Sequence, residues 1–154
     1  MTVGEVVIAP VSPSSRDALE LIEALDGELL RRYPGAVIEG LLPEDATDRL
    51  VFLVARMGNR PVACGAVREL DTATGEIKRM FVRPEHRGQG VARAILAALE
   101  ARAAELGYSS LRIETGSRQP EAVGLYASAG YVAIPPFGKY AGSPYSHCFE
   151  KRLQ

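Results

Sequence analysis

Hydrophobic residues recur at helical spacing in two long segments of the chain. Over residues 15–32 and again over residues 89–106, apolar positions lie three or four apart, which is typical of amphipathic helices. Gly107 follows the second segment, where glycine commonly ends a helix. A third, shorter helix is predicted over residues 119–129, because Pro120 suits the first turn of a helix.

Between and after these segments the pattern changes to alternating or continuous β-branched and apolar residues, which predicts strands. The predicted strands cover residues 6–9, 50–56, 61–70, 76–82, 108–115, 131–134 and 145–151. Turn residues at 58–59 and 71–75 join three of them into an antiparallel meander, and a strand–helix–strand crossover follows. We therefore expect an α/β (α+β) fold, with a mixed central sheet of about six to seven strands and helices on both faces.

Length, charge and cysteine content narrow the classes of function. A chain of 154 residues predicts one domain over residues 1–154. The net charge of −1 argues against nucleic acid or an anionic membrane as the main partner. The chain has no apolar run of about 18 residues and no leader pattern, so a cytoplasmic location is expected. Cys64 and Cys148 lack the spacing of a disulfide framework or a zinc site, and no metal is expected.

A glycine-containing loop follows the strand over residues 76–82. Arg83-Pro84 breaks the strand, Gly88 and Gly90 allow close approach of a ligand, and an alanine-rich helix begins directly afterwards. Main-chain N–H groups at a helix N-terminus bind phosphate. The predicted phosphate donors are Gln89, Gly90, Val91 and Ala92, and the predicted charge-assisted contacts come from Arg87 and Arg93. Neither the dinucleotide fingerprint nor the P-loop pattern is present.

Two motifs resemble those of the GNAT superfamily of acyl-CoA N-acyltransferases. Residues 87–92, Arg-Gly-Gln-Gly-Val-Ala, match its Arg/Gln-x-x-Gly-x-Gly/Ala signature, and residues 125–131 are similar to its Leu-Tyr-x-x-x-Gly-Phe/Tyr segment. The resemblance covers about residues 5–151. It implies a sheet that is splayed at the cofactor site, with acetyl-CoA as cofactor and coenzyme A as product. It also implies that the strand residues Met80, Phe81 and Val82 border the pantetheine arm.

The same resemblance assigns the chemistry to a direct attack by the acceptor amine in a ternary complex. It implies that Tyr126 contacts the cofactor and protonates the departing thiolate. An amine with a pKa near ~10 must also lose a proton before it can attack. Glu76, at the start of the strand that leads to the loop, is the first candidate for the base, directly or through water. Glu114 and water alone remain alternatives.

The acceptor site is predicted from cationic and aromatic residues near the ends of these elements, together with Glu114 at the start of one wall of the pocket. Its candidate residues are Arg32, Tyr33, Arg79, Glu114, Arg118, Lys139 and Tyr140. Residues 135–140 and 148–151 also resemble a bacterial GNAT subgroup that acts on small molecules. We therefore expect a small-molecule amine, with a carboxylate-bearing amine favoured, and a homodimer. The alternatives are a protein or peptide N-acetyltransferase and a non-catalytic acyl-CoA-binding regulatory domain.

Overall fold

The computed structural model describes residues 6–154. Three α-helices and seven β-strands form this part of the chain. The strands are β1 (Val6–Pro10), β2 (Val51–Met57), β3 (Arg60–Glu69), β4 (Thr74–Val82), β5 (Ser110–Gly116), β6 (Val132–Ile134) and β7 (Ser146–Arg152). The helices are α1 (Arg16–Arg32), α2 (Val91–Glu105) and α3 (Pro120–Ser128).

Local sequence explains where the two long helices begin and end. Ser15 caps α1, and its side chain accepts a hydrogen bond from the main-chain N–H of Ala18. Gly90 caps α2 with a φ of 84°, and Gly107 follows α2 with a φ of 92°. Both values lie in the left-handed region that glycine adopts without strain. The predicted helices are therefore present, with bounds that differ by one to two residues.

The seven strands form one mixed sheet in the order β1-β2-β3-β4-β5-β7-β6. Strands β2 to β4 form the antiparallel meander that the turn residues predicted, and β1 pairs antiparallel with β2. Strand β7 lies between β5 and β6 and runs antiparallel to both. The pair β4 and β5 is parallel, because α2 carries the chain from one to the other. The predicted mixed sheet is confirmed.

The two faces of the sheet are covered by different helices. Leu21 and Leu25 of α1 pack with Phe52 and Phe81 in a cluster on one face, named here the α1 face. Ile95 and other residues of α2, together with residues of α3, pack on the opposite face, named here the α2 face. Tyr126 of α3 therefore lies on the α2 face. Helices on both faces are confirmed.

A β-bulge in β4 changes which side chains reach each face. Cys64 lies opposite Phe81 and Ala66 lies opposite Lys78, so β4 has one more residue than β3 over this stretch. Within the bulge, Arg79 has a φ of 60°, the only positive value at a non-glycine residue in the described part of the chain. As a result Lys78 and Arg79 both lie toward the α1 face.

Strand β4 begins earlier than the sequence predicted. Thr74 and Gly75 belong to the strand, because they lie opposite Ser110 and Leu111 of β5. Single turns of 3-10 helix span Pro43–Asp45, Pro84–His86 and Gly138–Tyr140. Within residues 6–154, no helix combines the length and the hydropathy required of a membrane span.

Candidate active site

The parallel strands β4 and β5 separate after three residue pairs. They are paired only from Thr74 opposite Ser110 to Glu76 opposite Arg112. Beyond this point residues 77–82 of β4 and 113–116 of β5 diverge, and we call the space between them the gap. A cavity of about 510 Å³ opens here, bordered also by α1, α3 and residues 139–146. Its volume falls in the range of about 300–1,000 Å³ that is usual for small-molecule sites.

A ring of unpaired main-chain donors lies next to the end of β4. The N–H groups of Gln89, Gly90, Val91 and Ala92 donate to no acceptor within residues 6–154. Gly88 has a φ of 75°, and a Cβ at this position would meet nothing within 4 Å. The loop is therefore open on its outer side, and its free donors are strengthened by the dipole of α2.

The two arginines predicted to contact phosphate are held by the protein. Arg87 donates from Nε to the Val82 carbonyl at 2.9 Å and from Nη2 to Glu28 at 2.6 Å. Arg93 donates to the Ser128 hydroxyl at 2.8 Å. Arg87 therefore fixes the loop against β4 and α1, and the groups that remain free for an anion are mainly those of the main chain.

Tyr126 borders the gap on the α2 face of the sheet. Its side chain is buried, lines the cavity, and packs against Tyr131 and Phe149 at centroid distances of 5.8 and 6.5 Å. Its hydroxyl has no hydrogen-bond partner among the described residues. Burial raises the pKa of the Tyr126 phenol well above its ordinary value. The side chain is therefore a neutral donor whose proton has no acceptor among residues 6–154.

Thr115, on β5 beside the gap, also has an unsatisfied hydroxyl. Its Oγ1 is the one buried side-chain oxygen or nitrogen within residues 6–154 that lacks a hydrogen-bond partner. Buried polar groups are normally paired, so this hydroxyl remains free to form a hydrogen bond with a ligand in the adjacent cavity. Thr115 and Tyr126 both border the cavity.

Glu76 is almost completely enclosed, with 1% of its surface exposed. Its Oε1 accepts a hydrogen bond from Arg68 Nε at 2.8 Å, and its Oε2 accepts one from the Tyr140 hydroxyl at 2.9 Å. Arg68 also reaches the buried carboxylate of Asp45 at 3.3 Å. Both oxygens of the predicted base are therefore occupied, and its charge is compensated by Arg68.

Glu114 is the less restrained of the two candidate carboxylates. The Ser146 hydroxyl donates to its Oε2 at 2.8 Å, and Oε1 has no partner among the described residues. Burial raises the pKa of the Glu114 carboxyl, and the nearby charge of Glu76 acts in the same direction. Glu76 is two residues before Lys78 on β4 and shares its α1 face. Arg112 of β5 lies opposite Glu76, and Glu114 is two residues after Arg112, so Glu114 also lies on the α1 face.

The cations predicted to bind the acceptor are mostly paired within the protein. Arg79 is buried and binds Asp26 of α1 at 2.5 Å, and Lys139 binds Glu39 at 2.8 Å. Arg32 forms an ion pair with Glu121 of α3. Arg79 and Lys139 line the cavity, whereas Arg32 does not. The charges of all three serve contacts within the protein, which join α1 to β4, α1 to α3 and one loop to another.

Of the remaining predicted residues, Tyr33 and Met80 border the cavity, whereas Arg118 and Phe81 do not. Tyr33 borders the cavity, and its hydroxyl oxygen accepts a hydrogen bond from the main-chain N–H of Arg118 at 2.9 Å. Arg118 is exposed, and its guanidinium donates to the Arg32 carbonyl at 2.9 Å. Phe81 packs in the cluster on the α1 face and is not part of the cavity wall, whereas Met80 is.

Lys78 also borders the cavity and was not among the residues predicted from the sequence. It is half-buried and forms no ion pair with any residue between 6 and 154. The signal that could have indicated it is its position two residues after Glu76, which places both side chains on one face of β4.

Comparison with known sequences identifies the protein family of this chain. A sequence model of the Acetyltransferase (GNAT) family matches residues 19–131. The chain is 39% identical to an "IAA acetyltransferase" of Azospirillum brasilense over 150 residues, which cover 96% of this chain and 98% of that protein.

Solved structures agree with this match. An acyl-CoA N-acyltransferase candidate from Klebsiella pneumoniae superposes with a TM-score of 0.83 at 33% identity, covering 97% of this chain and 98% of that one. A GNAT acetyltransferase from Elizabethkingia anophelis with acetyl-CoA bound superposes with a TM-score of 0.70 over 97% and 99% of the two chains. At 19% identity, the second likeness concerns the fold alone.

Proposed function

Because the chain belongs to the GNAT family and is an acyl-CoA-dependent acetyltransferase, we propose that it transfers an acetyl group from acetyl-CoA to the amine of a small molecule. One observation carries the proposal: the gap is bordered by a carboxylate, Glu114, on the α1 face and by a neutral phenol, Tyr126, on the α2 face. These are the two groups that the proton transfers require.

The residues around the gap fit an acyl-CoA. The free N–H groups of residues 89–92 suit its diphosphate, and the unpaired edges of β4 and β5 offer main-chain groups to the amides of the pantetheine arm. Met80 borders this path, while Phe81 contributes only its main chain. When bound there, acetyl-CoA supplies the thioester that an amine attacks.

Glu114 is the group that we propose as the base. A primary amine near pKa ~10 is protonated at neutral pH and cannot attack until it has lost a proton. The free Oε1 of Glu114 is available to attract the ammonium group and to accept that proton. Glu76, predicted first for this task, stays a candidate, but Arg68 and Tyr140 hold both of its oxygens. We assign it to positioning Tyr140 at the cavity.

Tyr126 is the group that we propose as the acid. Its raised pKa keeps the phenol protonated over the working pH range, and its proton has no acceptor in the part of the protein that the structure describes. A thiolate that leaves in the gap can accept a hydrogen bond and then the proton from Tyr126, and the buried phenolate that remains, a strong base, takes up a proton from solvent once the products leave. The rigid contacts with Tyr131 and Phe149 hold the ring in place for this transfer.

The shape of the site favours a small acceptor over a peptide. Lys139 of the segment after β6 binds Glu39 of the loop after α1 at 2.8 Å, and Tyr140 reaches Glu76 at 2.9 Å. These contacts bridge the segments on the α1 side of the cavity, where an extended peptide would need an uninterrupted groove. A homodimer and a cytoplasmic location stay predictions.

Amine-dependent release of coenzyme A thiol tests the proposal. The protein is supplied with acetyl-CoA and a panel of small amines and, in parallel, short peptides, and products are identified by mass spectrometry. We expect an N-acetylated small amine. Acetylation of peptides alone would support the peptide alternative. Binding of acetyl-CoA without turnover of any amine would support the non-catalytic alternative.

A further inference from the structure

We propose that Lys78 binds a carboxylate of the acceptor across the gap from Glu114, so that the acceptor is an amino acid or a similar zwitterion. This inference rests on the proposed function, because it names the substrate class for the same site. Lys78 is then a specificity-determining residue. The inference stands on the register of the strands and on the pairing of every other charge in the cavity wall.

The register places the two side chains on the same face of the sheet, on either side of the gap. Glu76 of β4 lies opposite Arg112 of β5, at the last pair before the strands separate. Two residues further along each strand stand Lys78 and Glu114, and side chains two residues apart share a face. Lys78 lies opposite Ala66, whose side chain is in the cluster on the α1 face. Lys78 and Glu114 are therefore the first facing pair across the gap.

The other charged groups of the cavity wall already have partners. Six ionisable acids and bases line the cavity besides its tyrosines, and only Lys78 and Glu114 form no ion pair within residues 6–154. The occupied groups form the pairs Lys139–Glu39, Glu76–Arg68 and Arg79–Asp26, with N···O distances of 2.8, 2.8 and 2.5 Å. One cation and one carboxylate therefore remain for a ligand.

A zwitterion is the ligand that satisfies both groups at once. An ammonium next to Glu114 is positioned to lose its proton, and a carboxylate next to Lys78 forms a charge-assisted hydrogen bond. Paired strands lie about 4.8 Å apart, and the distance increases beyond the last pair. Two charges on one small molecule can span such a separation. An amine without a carboxylate leaves Lys78 half-buried and unpaired, which is unfavourable.

The first test compares matched acceptors on the wild-type protein. Each set contains an amino acid, its carboxamide and the corresponding decarboxylated amine, and kcat/KM is measured by thiol release. We expect the amino acid to exceed its carboxamide by roughly ten- to hundred-fold, the usual range for a hydrogen bond between charged partners. Equal or better use of the neutral analogues in every set would overturn the inference.

The second test assigns the preference to Lys78. In Lys78→Met the ratio of kcat/KM for acid over amide should fall roughly ten-fold or more, and Lys78→Arg should keep most of the ratio, because it keeps the charge. Lys139→Met is the matched comparison, since that lysine borders the same cavity but binds Glu39. An equal fall in Lys139→Met, or an unchanged ratio in Lys78→Met, would refute the assignment.

The outcomes also separate this inference from the proposed function. If simple amines are acetylated without any preference for a carboxylate, the acetyltransferase proposal stands and the role of Lys78 is wrong. If no small amine is acetylated although acetyl-CoA binds, the proposed function itself fails. Should Lys78→Met fold poorly, the wild-type ratios and Lys78→Arg still decide the case.

Discussion

Replacing Tyr126 with phenylalanine removes one proton donor and leaves the ring that fills the space. The ring packs against Tyr131 and Phe149, and a phenylalanine ring would keep those contacts. The hydroxyl has no partner within residues 6–154, so its loss leaves no buried protein group unpaired. We therefore expect the free energy of unfolding to change by no more than about 1 kcal/mol.

The effect on catalysis should be much larger. Loss of a positioned general acid usually costs about 10²–10⁴-fold in rate, or roughly 3–5 kcal/mol of transition-state stabilisation. Tyr126→Phe should therefore lower kcat by that range and should change the affinity for coenzyme A little. Because burial raises the pKa of this phenol, we also expect the wild-type rate to show no alkaline loss from tyrosine ionisation below about pH 10.

Three measurements on the wild type and Tyr126→Phe make the comparison. Thiol release with an active amine gives kcat, titration calorimetry gives coenzyme affinity, and thermal unfolding gives stability. A variant that binds the coenzyme, unfolds at the same temperature and turns over within about two-fold of the wild type would refute the assignment of Tyr126 as the acid.

Three further predictions concern the base, the loop and the cavity wall. Glu114→Gln should lower kcat/KM most at low pH and less as pH rises, because the free amine then forms without the help of a base. Glu76→Gln should mainly lower the unfolding temperature, because it weakens the contact with Arg68. A pH profile of kcat/KM that changes only in Glu76→Gln would reverse these two roles. Gly88→Ala and Gly58→Ala both place alanine at positive φ (75° and 61°) and should each lose about 1 kcal/mol of stability, but calorimetry should detect weaker coenzyme binding only in Gly88→Ala. Gly116→Ala should displace the ring of Tyr33, which the new Cβ would contact and which lines the cavity. The KM for the acceptor should therefore rise, and an unchanged KM would contradict this.

Much of the fold follows from local pattern. Spacing of apolar residues predicted both long helices, and turn residues predicted the meander of β2 to β4. The bulge at Arg79 is different, because it depends on how β4 aligns with β3. Nothing in the sequence around Arg79 marks a left-handed residue. The bulge brings Arg79 to Asp26 of α1, where it forms a structural ion pair.

The candidate site was predictable where a motif fixes it and less so where packing decides. Residues 87–92 and Tyr126 stand in short motifs with local geometry. One oxygen of Glu76 is occupied by Arg68, which is eight residues away on the neighbouring strand. The register of the hairpin could have indicated this pair. Lys139 pairs with Glu39, which is 100 residues away, so this ion pair could be recognised only in the folded chain.

A crystal structure with coenzyme A bound is the sharpest test of the proposed cofactor site. We expect the diphosphate on the N–H groups of residues 89–92, the pantetheine arm between β4 and β5, and the thiol within hydrogen-bond distance of the Tyr126 hydroxyl. A coenzyme bound outside the gap, or a thiol directed away from both Tyr126 and Glu114, would show that the gap is not the site of acetyl transfer.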